Sequence, residues 1–287
     1  MDATAPAFLL IAAYGLTGAA AGFSAGLLGI GGGLIIVPVL AQLFASDTAL
    51  AGAAMPLAFG TSLATIIVTA IASARAHHHK GAVIWPLVAA LSPGILLGAW
   101  LGGQLASSAD QQLLKILFAI FELLIAGQML KKAITPKPAK HVSQTENDTP
   151  ANACLTPMTA LAGGGVIGGV SAILGIGGGT LSVPFLHWRG VPIKNAIATS
   201  AACGAPIALA GALAYAWGGW QAGFTAPGHA TLGYIELTAF VLISLTSMAF
   251  APLGANLAHR LPDRALKSTF ALLLLLLGVS MLLKVGG

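Results

Sequence analysis

The chain has 287 residues, of which 57% are hydrophobic and only 7% charged, where soluble domains carry about 25% charged residues. So few charges cannot keep the surface of a soluble domain wet, which excludes a soluble enzyme, a disordered chain and a nucleic-acid-binding protein. The net charge of +5 reflects a shortage of acids rather than a basic patch.

Apolar runs of about 20 residues, the length that crosses a bilayer, are predicted near 7–30, 52–76, 82–106, 111–132, 156–176, 193–218, 232–258 and 265–285. Two shorter runs, near 33–46 and 179–188, each directly follow a glycine cluster. The runs are unbroken rather than alternating, which argues against a β-barrel. The 37 glycines suit close helix–helix contact in lipid. The opening Met1-Asp2-Ala3-Thr4 lacks the basic start of a signal peptide, so the first run is expected to belong to the fold. Cys154 and Cys203 cannot build a disulfide framework.

The chain is duplicated. Residues 28–40 match residues 174–186 at 9 of 13 positions with a constant offset of 146. The match runs through Leu28-Gly29-Ile30-Gly31-Gly32-Gly33 and Leu174-Gly175-Ile176-Gly177-Gly178-Gly179 to Val37-Pro38 and Val183-Pro184. Thr61-Ser62 answers Thr199-Ser200, Gly98-Ala99 answers Gly254-Ala255, and Phe118-Ala119 answers Phe270-Ala271. The predicted fold is an all-α polytopic membrane bundle of two repeats with about five elements each, residues 1–132 and 156–287. Between them, 133–155 carries Pro136, Pro138 and Pro150 and reads as an exposed loop.

If all ten segments alternate in direction, 11 of the 13 basic residues fall on one side. They lie in the loops around Arg75 and Lys80, Lys131 to Lys140, Arg189 and Lys194, and Arg260 to Lys267. The positive-inside rule then makes these loops cytoplasmic and puts both termini outside. Parity does not distinguish short segments that span from short segments that dip to mid-membrane and return. Five elements per half require the second half to be inverted, a recurring design of secondary transporters.

The glycines that open the short segments, Gly31, Gly32, Gly33, Gly177, Gly178 and Gly179, are the first candidates for a binding site. Helix N-termini present free N–H donors and partial positive charge, which suits anions. Packing alone accounts for one such cluster, while two copies at matched positions point to a transport site. Thr61, Ser62, Thr199 and Ser200 follow on the next helix of each half and can donate to an oxyanion, although such hydroxyls often bond back to their own helix. Glu122 lies mid-helix, and an ionisable group at that depth is a functional candidate, here a proton carrier. Its counterpart is Leu274. Glu236 stands near its helix start and reads as interfacial. His77-His78-His79, between Arg75 and Lys80, reads as part of a basic loop rather than a metal site, and Cys203 as a small buried residue. Gly22-Phe23-Ser24-Ala25-Gly26 matches GxSxG but lacks the strand–turn–helix setting of a nucleophile elbow. No metal and no cofactor are expected.

The duplicated glycine motif, the Thr-Ser helix after it and the Arg75…Gly81-Ala82-Val83-Ile84-Trp85 loop resemble the sulfite exporter TauE/SafE family of bacterial and archaeal inner-membrane proteins. The resemblance covers both halves but not 133–155. It implies a secondary transporter, an exporter by the family's name, of small sulfur-containing anions or organic acids such as sulfite, sulfonates or sulfoacetate. By matching motif position, it implies a site at Gly29 to Gly33 and Gly175 to Gly179 with Thr61, Ser62, Thr199 and Ser200. The expectation is alternating access in the bacterial inner membrane, driven by protons or another coupling ion because no ATP-binding motif is present. A passive anion channel and an accessory or sensor protein are the alternatives, and self-association is left open.

Overall fold

The computed structural model describes residues 4–28, 32–134, 156–258 and 263–283; Gly31 and most of the inter-repeat loop lie outside the described residues. Within them the chain forms α1 (Thr4–Leu28), α2 (Gly33–Ala45), α3 (Ala54–His79), α4 (Trp85–Ser107), α5 (Gln111–Ile134), α6 (Pro157–Ile173), α7 (Gly179–Trp188), α8 (Ile193–Gln221), α9 (Leu237–Ala258) and α10 (Asp263–Leu283). Five of these helices carry segments long and apolar enough to cross a bilayer, including Ala51–His79 and Ile193–Gln221. The chain is a multi-pass membrane protein with a helical-bundle fold. Two predicted runs are shortened. α6 ends at Ile173, followed by Gly175 in a left-handed turn at φ +62. α9 starts only at Leu237, after a folded loop closed by an isolated bridge between Thr231 and Glu236.

Glycine contacts establish helix direction. Gly60, Leu63 and Ala70 of α3 face Tyr215, Gly211 and Gly204 of α8, an antiparallel central pair. Gly94, Gly98 and Gly102 of α4 face Leu161, Gly165 and Gly169 of α6, a parallel pair. Gly18 and Gly22 of α1 meet Ile243 and Ser247 of α9, also parallel. Such backbone contact needs glycine: a Cβ on Gly98 would lie 2.0 Å from the Gly165 carbonyl oxygen. Side chains that small are what association in lipid selects, where no hydrophobic force draws helices together.

α3, α5, α7 and α9 all end at the face that carries Arg75 and Lys80. There Asn195 in the first turn of α8 donates to the Ala82 carbonyl at 3.0 Å, linking α8 to the α3–α4 connection. At the opposite face the His229 ring nitrogen lies 3.0 Å from an Asp47 carboxyl oxygen, joining the loop before α9 to the end of α2.

The short segments are hairpins. α2 turns back along α1, with the Tyr14 and Phe44 rings 6.5 Å apart. α7 turns back along α6, where a Cβ on Gly163 would lie 2.5 Å from Phe185. At ten residues α7 is only about 15 Å long, half the roughly 30 Å hydrocarbon core. The two hairpins enter from opposite faces, and the start of α2 meets the Gly175 turn mid-bundle beside Ile66. A Cβ on Gly33 would lie 3.0 Å from the Gly175 carbonyl oxygen and 3.1 Å from the Ile176 Cα.

Candidate functional site

The meeting point begins with two uncapped helix starts. Gly32 and Gly178 are the N-caps of α2 and α7, and neither has a side chain to satisfy the first amides. Intrahelical bonding begins only at Ile35 N to Gly32 O (3.0 Å) and Leu181 N to Gly178 O (3.1 Å). The amides of Gly33, Leu34, Gly179 and Thr180 precede those bonds, and unsatisfied helix-start donors carry the positive end of the dipole. Phe59, Ile66 and Ile176 wall the junction with buried apolar surface.

The Thr–Ser pairs are not brought to one place. The α3–α8 register puts Ser62 level with residue 212, so Ser62 and Ser200 are separated by roughly 18 Å along the bundle. Ser62 joins the glycine junction directly: its Oγ donates to the Gly175 carbonyl at 2.8 Å. The Thr61 hydroxyl accepts from the Glu236 amide at 2.9 Å. The Thr199 hydroxyl accepts from the Ile84 amide at 3.1 Å, near the basic face. Ser200 is 1% exposed and its hydroxyl has no partner. Of the four, Ser62 alone touches a glycine turn, Thr61 and Thr199 hold neighbouring backbone, and Ser200 lies toward the basic face.

Glu122 is fully buried in α5, and neither carboxyl oxygen has a partner. Gln111 bonds to Gly52 at 2.7 Å, and Phe118 stacks against Phe59 at 5.9 Å. This register between α3 and α5 puts Glu122 at the depth of Ser62 and Leu63. Glu236, read as standing near its helix start, does so directly before α9; it is 1% exposed, and its carboxyl group accepts from the Ala239 amide, at a helix start that favours negative charge.

His78 accepts from the Trp85 indole N–H at 3.1 Å at the basic face. No group of three histidine, cysteine or acidic side chains positioned for a metal exists among the described residues. Cys203 is fully buried in an apolar cluster with Leu186 and Ile207.

Sequence reasoning passed over Ser171, Thr180 and Ser182. Each has a buried hydroxyl without a partner, and all three lie within four residues of the second glycine cluster. For two of them the repeat itself carries the signal: at offset 146 Thr180 and Ser182 replace Leu34 and Ile36.

Two broken helices meeting inside a polytopic bundle are the architecture of a membrane transporter, and the comparisons give the same class. The chain belongs to the sulfite exporter TauE/SafE family, whose model matches residues 14–281. It is 38% identical over 269 residues to a probable membrane transporter protein of Haemophilus influenzae, covering 94% of this chain and 97% of that one. It is 26% identical over 278 residues to one of Methanocaldococcus jannaschii, with 96% of each chain covered. A third, from Bacillus subtilis, is 31% identical over 206 residues, covering 67% of this chain and 72% of that one. No solved structure matches the chain.

Proposed function

We propose that the protein is a secondary exporter of a small anion, a sulfur-containing oxyanion, sulfonate or related organic acid, working by alternating access and coupled to protons. Residues 1–132 and 156–287 act as inverted repeats. Their reciprocal packing supports this: α1 lies along α9 as α6 lies along α4, with α3 against α8 between them. The basic loops are cytoplasmic and both termini periplasmic in a bacterial inner membrane, because the basic residues gather at one face.

The observation that carries the reading is the contact of Gly33 with Gly175 and Ile176. It brings two helix N-termini and the Ser62 hydroxyl into one buried place that each hairpin can open to its own side. The site comprises the glycine turns Gly31 to Gly33 and Gly177 to Gly179 with Ser62, while Thr61, Thr199 and Ser200 line the two approaches. A carboxyl group with no partner, at the depth of the site, is a natural stop for a proton, and this supports Glu122 as the carrier.

The test is a thermal-shift screen of the purified protein with small sulfur oxyanions, sulfonates and carboxylates, since a specific ligand stabilises by mass action. A shift with at least one of them, abolished by Gly178→Leu, is expected. Binding that survives both Gly32→Leu and Gly178→Leu puts the site elsewhere. A passive channel would use the same site without a carrier acid. In liposomes, gradient-driven accumulation that Glu122→Gln leaves unchanged overturns the carrier role.

A further inference from the structure

The two helix starts that meet in the bundle are not equivalent. At offset 146, Leu34 and Ile36 of α2 are answered by Thr180 and Ser182 of α7. The fourth residue after each N-cap glycine folds back over that glycine in both copies. In α2 it is apolar: the Ile36 Cδ1 lies 3.3 Å from where a Cβ on Gly32 would be. In α7 it is polar: the Ser182 Oγ lies 2.9 Å from the corresponding point on Gly178. Ser182 is 1% exposed, and its hydroxyl and that of Thr180 have no partner. A buried hydroxyl without a partner carries a desolvation cost. An apolar side chain, as in the first copy, would avoid it.

Resting on the transport reading above, we infer that the protein has one anion-binding locus, not two, built on the N-terminus of α7 from the Gly179 and Thr180 amides and the Thr180 and Ser182 hydroxyls, and that it takes a small organic monoanion. Ile36 and Ala21 over the α2 start form the apolar wall opposite, and Ile207 stands beside the α7 start, so the hydroxyls of Thr180 and Ser182 are what separate the two. The charge preference follows from what is absent nearby. On α3, α6, α7 and α8 no lysine, arginine or histidine lies within two turns of Gly178, of Ile207 facing it, or of Ile66 facing Gly177. A helix N-terminus supplies about half a positive charge. Half a charge and a few neutral donors offset one negative charge, whereas a dianion would retain an uncompensated charge in a buried place. Ile66, Ile176 and Ile207 suit a short apolar tail behind a sulfonate or carboxylate head.

The test uses the full-length protein in detergent, with methanesulfonate, ethanesulfonate and acetate as monoanion probes and sulfate as the dianion. The unmodified protein is expected to shift its melting temperature with at least one monoanion and not with sulfate. Ser182→Ala is expected to weaken that probe about ten- to a hundred-fold, the range for a hydrogen bond to a charged group. Ser182→Thr restores the hydroxyl and should recover most of the affinity. Gly127→Ala, on the exposed face of α5 where a Cβ meets nothing within 4 Å, should leave affinity within about three-fold. Ligand-free melting of each variant separates lost binding from lost folding. No shift with any probe overturns the anion site altogether, and this inference with it. A monoanion shift that Ser182→Ala leaves unchanged, or an equal shift with sulfate, overturns only the α7 locus and its charge preference.

Discussion

A Cβ on Gly98 would lie 2.0 Å from a backbone oxygen of α6, whereas one on Gly127 would meet nothing within 4 Å. Gly98→Ala is therefore expected to cost roughly 1–3 kcal/mol, the range of overpacking. Gly127→Ala, at an exposed helical position, should be neutral or gain up to about 1 kcal/mol. Melting temperatures of the two variants in the same detergent check this difference. Gly175 is constrained twice, by its φ of +62 and by Phe59, so Gly175→Ala should abolish transport as well as lower stability. None of this difference among glycines can be read locally, because the atom a Cβ would strike belongs to another helix. Glu236 is of the same kind: its place at a helix start was legible, its burial at 1% exposure was not.

At the scale of elements, two side-chain hydrogen bonds from other helices hold the second hairpin turn. Ser62 Oγ donates to the Gly175 carbonyl at 2.8 Å, and Tyr215 Oη to the Ala172 carbonyl at 3.2 Å. Ser62→Ala leaves a buried carbonyl unpaired and is expected to cost about 1–3 kcal/mol. Liposome transport should fall with it, and Ser62→Thr should restore part of both. The His229–Asp47 pair, by contrast, has side chains 16% and 35% exposed and contributes at most about 1 kcal/mol. Asp47→Asn should change thermal stability by no more than that. The short elements were legible because each follows a glycine cluster. That they turn back rather than cross was not, since a ten-residue helix and its parity are compatible with either until its neighbours are known.

For the whole molecule, sidedness is the property most open to measurement. In a background with Cys154 and Cys203 replaced by serine, single cysteines at Lys80 and at Asp110 should react with an impermeant thiol reagent from opposite faces of oriented membranes. Labelling of both from one face would contradict the helix directions. Composition determined by itself that the chain is a helical membrane protein, and a sequence repeat at constant offset marked the glycine turns. These signals reside in single residues and in identity along the chain, so they need no spatial neighbour. Only the tertiary structure decided which marked residues share a place. Gly33 meets Gly175, while Ser62 and Ser200 are separated by the antiparallel register of α3 on α8. That register is set by small residues interlocking across helices far apart in the chain, a complementarity of surfaces that neither strand of sequence carries alone.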